Sequence, residues 1–159
     1  MRIKLVAVGK IKERYLAAGV AEYLKRLQPF SRVEVVEVPD ERLPGQPVPA
    51  LEEAVKDKEG ERLLAHVRDS SYTVALIPEG QMLSSEDLAA LLDKLAVSGK
   101  SDLTFIIGGT LGLSQRVLQR ADLLLSLSPM TFPHQMVRMI LLEQLYRAFK
   151  ISRGEPYHR

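Results

Sequence analysis

The chain reads as an α/β protein: a mostly parallel sheet with helices on both faces. Two observations predict this class. Short β-rich apolar runs alternate along the sequence with longer stretches whose apolar residues recur at helical spacing. Parallel strands need long crossovers, and the intervening helical stretches supply them. At 159 residues and 46% hydrophobic content, one domain spanning 1–159 is expected.

Ile3 to Val8 is a strand ending at Gly9, and Tyr15 to Leu27 then carries Leu16, Val20, Tyr23, Leu24 and Leu27 at helical intervals. Val33 to Val38 alternates valine with glutamate, which predicts a strand near a sheet edge with one wetter side. Four prolines and Gly45 between Pro39 and Pro49 make that stretch an irregular surface loop, with no role assigned. Leu51 to Val67 is an acidic amphipathic helix in which Gly60 reads as a weak centre. Thr73 to Ile77 is an apolar strand. Ser84 with Asp87 three residues later forms an N-terminal capping signal for a helix of Leu88, Leu91, Leu92 and Leu95 that stops at Gly99. Leu103 to Ile107 is a strand that breaks at Gly108-Gly109, and a short helix over 114–119 follows. Leu123 to Leu127 is the last strand. It opens into a loop bounded by Pro129 and Pro133, the second proline standing at the first position of the final helix.

The formal net charge is +2, unevenly spread. Residues 1–32 hold eight basic side chains against two acidic ones, and residues 129–159 hold five against two, so the middle of the chain is strongly acidic. Basic ends that met in space would suit a polyanion; ordinary solvated charge is the bland alternative. With no cysteine and three histidines, disulfides and thiolate metal sites are excluded and a protein-built metal site is disfavoured. The short apolar run after Met1 does not read as a signal peptide, and no stretch reaches the ~20 apolar residues of a membrane span. A cytoplasmic, soluble protein is expected.

In open α/β sheets ligands lie beyond the carboxyl ends of the strands. Three such ends stand out: Leu76 to Pro78, Ile107 to Gly109, and Leu127 to Pro133. The Gly108 to Gly112 run permits close backbone approach, but it lacks the dinucleotide and phosphate-loop signatures and reads equally as a tight strand-to-helix turn. The Met130-Thr131-Phe132 segment offers apolar surface, a hydroxyl and free backbone groups suited to a flat, polar-edged ligand. His134 opens the last helix, whose dipole favours a neutral imidazole able to accept a proton. Tyr157-His158-Arg159 end the chain in donors and cations, which is either an idle tail or a working one. The last helix has two apolar stripes, one through Val137, Leu141 and Leu145, the other through Met139, Leu142 and Tyr146. The second predicts a partner subunit and hence a homodimer.

Leu5-Val-Ala-Val-Gly-Lys10, Asp57-Lys-Glu-Gly60, Phe105-Ile-Ile-Gly-Gly109 with Gly112-Leu113, Leu125-Ser126 through Thr131-Phe-Pro-His134, Leu145-Tyr-Arg-Ala148 and Tyr157-His158 together resemble one family over the whole chain. It is the SPOUT class of methyltransferases, within it the small bacterial enzymes that methylate N3 of a pseudouridine in 23S ribosomal RNA. The resemblance implies a C-terminal trefoil knot, an exception to the rule of unknotted chains. It implies S-adenosylmethionine held by Leu76, Gly108, Leu127, Ser128, Pro129, Met130, Thr131 and Phe132. It also implies a homodimer in which one subunit's tail completes the other's active site. The candidate proton acceptors are His158, Tyr157 and His134; the candidate RNA contacts are Arg138, Arg153 and Arg159, on large ribosomal subunits or assembled ribosomes. No metal and no membrane partner are expected. The competing readings are an S-adenosylmethionine-binding RNA chaperone without catalysis and an α/β enzyme using another nucleotide.

Overall fold

In the computed structural model, which describes residues 1–158, strands and helices alternate without exception: β1 (Arg2–Val8), α1 (Arg14–Leu27), β2 (Arg32–Val38), α2 (Pro49–Leu64), β3 (Tyr72–Met82), α3 (Ser85–Val97), β4 (Asp102–Ile107), α4 (Gln115–Arg120), β5 (Leu123–Ser126) and α5 (His134–Ser152). The five strands form one parallel sheet in the order β2-β1-β4-β3-β5. Side chains alternate across it with the period of two that a strand imposes. Leu5, Ala7, Phe105 and Ile107 point into a core shared with α1, α3 and α5. Val6, Val8 and Ile106 point the other way, against Leu63 of α2 and Val117 of α4. A parallel sheet covered on both faces explains why β1 and β4 read as continuous apolar runs. The wetter β2 lies at the edge, as its alternation predicts.

Three departures from the expected boundaries bear on the crevice. Strand β3 runs on to Met82, because its pairing with Leu125 of β5 shifts from Leu76 to Gln81 and lets Ile77 to Gly80 bulge out. A Cβ on Gly80 would stand 2.7 Å from the Leu124 carbonyl, so only glycine lets β5 pass. Strand β5 ends at Ser126, not Leu127. Pro133 is the N-cap of α5 rather than its first helical residue, and its carbonyl accepts the Met136 and Val137 N–H groups.

Gly60 is not a weak centre. It is buried against the N-cap of α4, and a Cβ there would collide with the Ser114 hydroxyl. The second stripe of α5 is partly accounted for within the chain. Leu142 is fully buried, Met139 fills the space beside Gly19 of α1, and the Tyr146 ring meets Tyr23 and Phe30. Helix α5 therefore packs two faces against α1 and α3, with Met139 and Tyr146 of the second stripe left half-buried.

Candidate active site

The three strand ends converge on one cleft of about 550 Å³ beyond β3, β4 and β5. Its walls are largely apolar, with Leu76 and Ile77 from β3, Ile107 to Leu113 from the glycine turn, and Leu125 from β5. Leu127, Ser128, Met130, Thr131 and Phe132 close it from the loop, and His134 and Val137 from the first turn of α5. Of the eight residues expected at a cofactor, seven line this cleft; Pro129 lies exposed in the same loop, outside the wall.

Two local devices shape the lining. In the loop, the Ser126 hydroxyl donates to the Ser128 carbonyl at 3.0 Å and the Ser128 hydroxyl accepts from the Met130 N–H at 3.0 Å. These bonds fix the start of the loop whose next residues, Thr131 and Phe132, line the cleft. In the glycine turn, the Gly112 N–H bonds the Gly109 carbonyl at 3.1 Å, and Gly112 has φ +92°, a conformation that favours glycine. Gly108 needs no positive φ. Its constraint is space: an added Cβ would meet the Gly112 backbone and the Leu113 side chain at 3.0 Å. A bulky residue at Gly108 would therefore distort the turn itself as well as obstruct a ligand.

Helix α2 braces this turn from behind. Glu59 is 4% exposed and its carboxyl lies against Gly109, where a Cβ would be 3.2 Å from Oε1; Gly60 beside it seats the Ser114 hydroxyl that caps α4 at the Val117 N–H. Oε2 of Glu59 accepts the Glu41 N–H at 2.9 Å, while Oε1 has no partner among the described residues. Burial pushes its acidity down, raising the pKa above the usual carboxylate range. Through Glu41, which also pairs with Arg62 and Lys58, the proline-rich loop is fastened to α2.

His134 is the one candidate proton acceptor that the chain brings to its own cleft. Burial lowers its pKa from the usual histidine value, and the neighbouring Arg138 charge adds to the effect. The neutral form is favoured as expected, with burial the leading cause. Arg138 is not available to RNA. Its side chain is 0% exposed, with Nη1 on Glu37 Oε2 at 2.7 Å and Nη2 on the carbonyls of Val8 and Gly9 at 2.8 Å. The expected RNA contact is corrected to an internal strut between α5 and the ends of β1 and β2. The sequence held a signal for it: Arg138 stands three, four and seven residues before Leu141, Leu142 and Leu145, on the buried face. Glu59 carries the same signal, four residues from both Val55 and Leu63.

The tail forms a second cluster. Tyr157 donates to Glu143 Oε2 at 3.2 Å, and its ring lies edge-on to Tyr146 with the Arg147 guanidinium 4.7 Å from its centroid. His158 meets Arg147 through Nδ1 at 3.1 Å and Glu86 through Nε2 at 2.6 Å. Burial and the Glu143 charge push the Tyr157 phenol up to about 12. Glu143 is nine residues beyond His134, about 14 Å along a helix. Within one chain, Tyr157 and His158 are therefore remote from the cleft. Arg153 is exposed with its guanidinium 4.5 Å over the Phe30 ring, and Arg159 lies outside the described residues.

A parallel α/β sheet with an apolar cleft beyond its strand ends places the protein in the open α/β class, whose ligands lie at that edge. Within that class, a family model described as "Predicted SPOUT methyltransferase" matches residues 1–158. The chain is 59% identical over 156 residues to the ribosomal RNA large subunit methyltransferase H of Pelotomaculum thermopropionicum, covering 98% of each. It is 58% identical to the protein of the same name from Carboxydothermus hydrogenoformans over the full length of both. A crystal structure from Bordetella pertussis described as a probable methyltransferase has the same fold, with a TM-score of 0.56 at 16% identity over 92% of this chain and 95% of that one. This chain belongs to the SPOUT methyltransferase family.

Proposed function

We propose that the protein methylates N3 of a pseudouridine in the 23S rRNA of the large ribosomal subunit, using S-adenosylmethionine. The observation that carries the choice of donor is the charge of the cleft. Among the described residues, Glu79 is the one formally charged side chain in its lining and no lysine or arginine is there. A phosphate-bearing nucleotide has no cation to meet, whereas a nucleoside carrying a positive sulfonium suits apolar walls with a single carboxylate. Relatives more than half identical over the full chain carry the rRNA reading.

Bound S-adenosylmethionine supplies a methyl group activated on a sulfonium. This chain's part is to position and to exclude water. Backbone groups of Leu76, Gly108 and the Leu127 to Phe132 loop hold the polar edges of the nucleoside, and the leucines around them shield the reacting centre. In the SPOUT arrangement these loops cross as a trefoil knot, which would hold both walls of the cleft in register. As the N3–C bond forms, the methyl carbon's bond to sulfur breaks and leaves a neutral thioether, and the N3–H proton passes to His134 in its neutral form or to His158. Holding the two reactants in line can contribute roughly 7–11 kcal/mol of the barrier reduction.

The remoteness of the tail from its own cleft supports a homodimer in which Tyr157-His158 of one subunit closes the cleft of the other. Incubation of the protein with labelled S-adenosylmethionine and large subunits from cells lacking the enzyme tests the reading. Label at N3 of a 23S pseudouridine is expected. Binding of S-adenosylmethionine without transfer to any RNA would leave a binding protein instead.

A further inference from the structure

The β1–α1 turn, residues 9–12, is anchored by the edge strand β2 and by α5, the helix whose first turn closes the cleft. The Gly9 N–H bonds the Val38 carbonyl at 2.8 Å, and the Gly9 carbonyl accepts from the buried Arg138. The Ile11 N–H donates to Glu37 Oε2 at 2.9 Å, the same oxygen that receives Arg138. The Lys12 N–H donates to Gln135 Oε1 at 3.0 Å. Four backbone anchors in four residues are unusual for an exposed turn, since loops ordinarily leave such groups to water.

What the anchored turn presents is charge. Lys10 and Lys12 are exposed, and neither ammonium has an acidic partner among the described residues; Arg14 follows, equally unpaired, with Glu13 the acidic residue between them. The turn lies on the rim of the cleft. Val8, which leads into it, would be 3.1 Å from a Cβ on Gly109 of the cleft wall, and Gln135 adjoins His134. Glu37 does not neutralise the lysines, because its charge is taken by Arg138.

We infer that Lys10 and Lys12 are phosphate-contacting residues that seat the RNA backbone beside the target base, with Arg138, Glu37 and Gln135 as the residues that position them. This rests on the rRNA reading above and adds to it a substrate-binding element. Fixing the turn in advance means that ordering it costs nothing when RNA binds, so two lysines can act as a register mark and not only as diffuse charge. Arg138, which faces no RNA itself, then influences RNA through the turn it holds.

The test uses the full-length double variant Lys10→Gln/Lys12→Gln with large subunits from cells lacking the enzyme. Each phosphate contact contributes about 0.7–0.9 to the slope of log affinity against log salt. The slope of subunit binding should therefore fall by about 1.5, and KM for subunits should rise roughly tenfold near 0.1 M salt. S-adenosylmethionine affinity and turnover at saturating subunits should stay unchanged. Lys10→Arg/Lys12→Arg should retain the wild-type slope, and Lys100→Gln, at the opposite end of the sheet, should change nothing. An unchanged slope and KM in the double glutamine variant would overturn the inference, as would a raised KM with the wild-type slope. Binding measured without cofactor separates this from the rRNA reading. If wild-type protein transfers no methyl group, that reading fails, while the salt slope still reports on the lysines.

Discussion

Glu37 and Arg138, 101 residues apart in sequence, meet through a 2.7 Å charge-assisted hydrogen bond that joins the edge strand to the helix opening the cleft. The partners are unequal: the arginine side chain is fully buried, the glutamate about a third exposed. Removing Glu37 leaves a buried cation without its counter-charge, so Glu37→Ala should destabilise by about 3–5 kcal/mol. Arg138→Met removes the charge but orphans the Val8 and Gly9 carbonyls, and should cost less, about 2–3 kcal/mol. Urea denaturation checks the order; a larger loss in Arg138→Met would contradict it.

His134 gives a pH dependence whose sign is determined. Its folded pKa lies below the ordinary value of 6.5, so the unfolded chain binds the proton more readily. The contribution to stability is complete above about pH 6.5 and is lost as pH falls from there through the folded value. An NMR titration of the His134 imidazole should show a midpoint below 6.5, and His134→Gln should flatten the stability profile in that window. A midpoint at or above 6.5 would refute the burial argument.

Glu59 has the opposite sign. Its pKa is raised from 4.5, so ionisation weakens the fold as pH climbs above that value. Glu59→Gln keeps an acceptor for the Glu41 N–H without the charge. It should be more stable than wild type at pH 7, with the difference vanishing below pH 4.5, as thermal unfolding at the two pH values would reveal.

Gly60→Ala should destabilise by about 1–3 kcal/mol, because the added methyl displaces the Ser114 hydroxyl from the α4 cap. Since α4 follows the glycine turn directly, S-adenosylmethionine affinity should fall as well. Calorimetry showing wild-type affinity would separate α2 from the cleft.

Deleting residues 157–159 should not be neutral to stability, contrary to what a tail beyond the last apolar helix residue suggests. It removes the Tyr157 bond to Glu143 and the His158 contact with Arg147, for about 1–2 kcal/mol together, along with an exposed contact to Glu86. Methyl transfer should fall far more than stability. In mixed dimers, a tail-deleted subunit paired with a Gly108→Val subunit should regain activity if tails act across the interface. A mixture that stays inactive would place each tail at its own cleft.

The alternation of strands and helices, the edge position of β2, the Ser84 capping box and the three loops that meet at the cleft were legible in the amino-acid order alone. Each rests on a local rule: side-chain period, capping chemistry, or the breaking of a strand by glycine or proline. The helical spacing marked Arg138 as lying on the buried face of α5, but its partners were not legible, because Glu37 is 101 residues away and the Val8 and Gly9 carbonyls 130 and 129. The second stripe of α5 showed that it must be covered, and only tertiary packing showed that α1 covers part of it, burying Leu142 and leaving Met139 and Tyr146 half-buried. Gly60 and Gly80 look like weaknesses on propensity, yet each is required where another segment passes within contact distance. Periodicity tells which faces are buried; which segment buries them depends on long-range juxtaposition, and that is set by the sheet order.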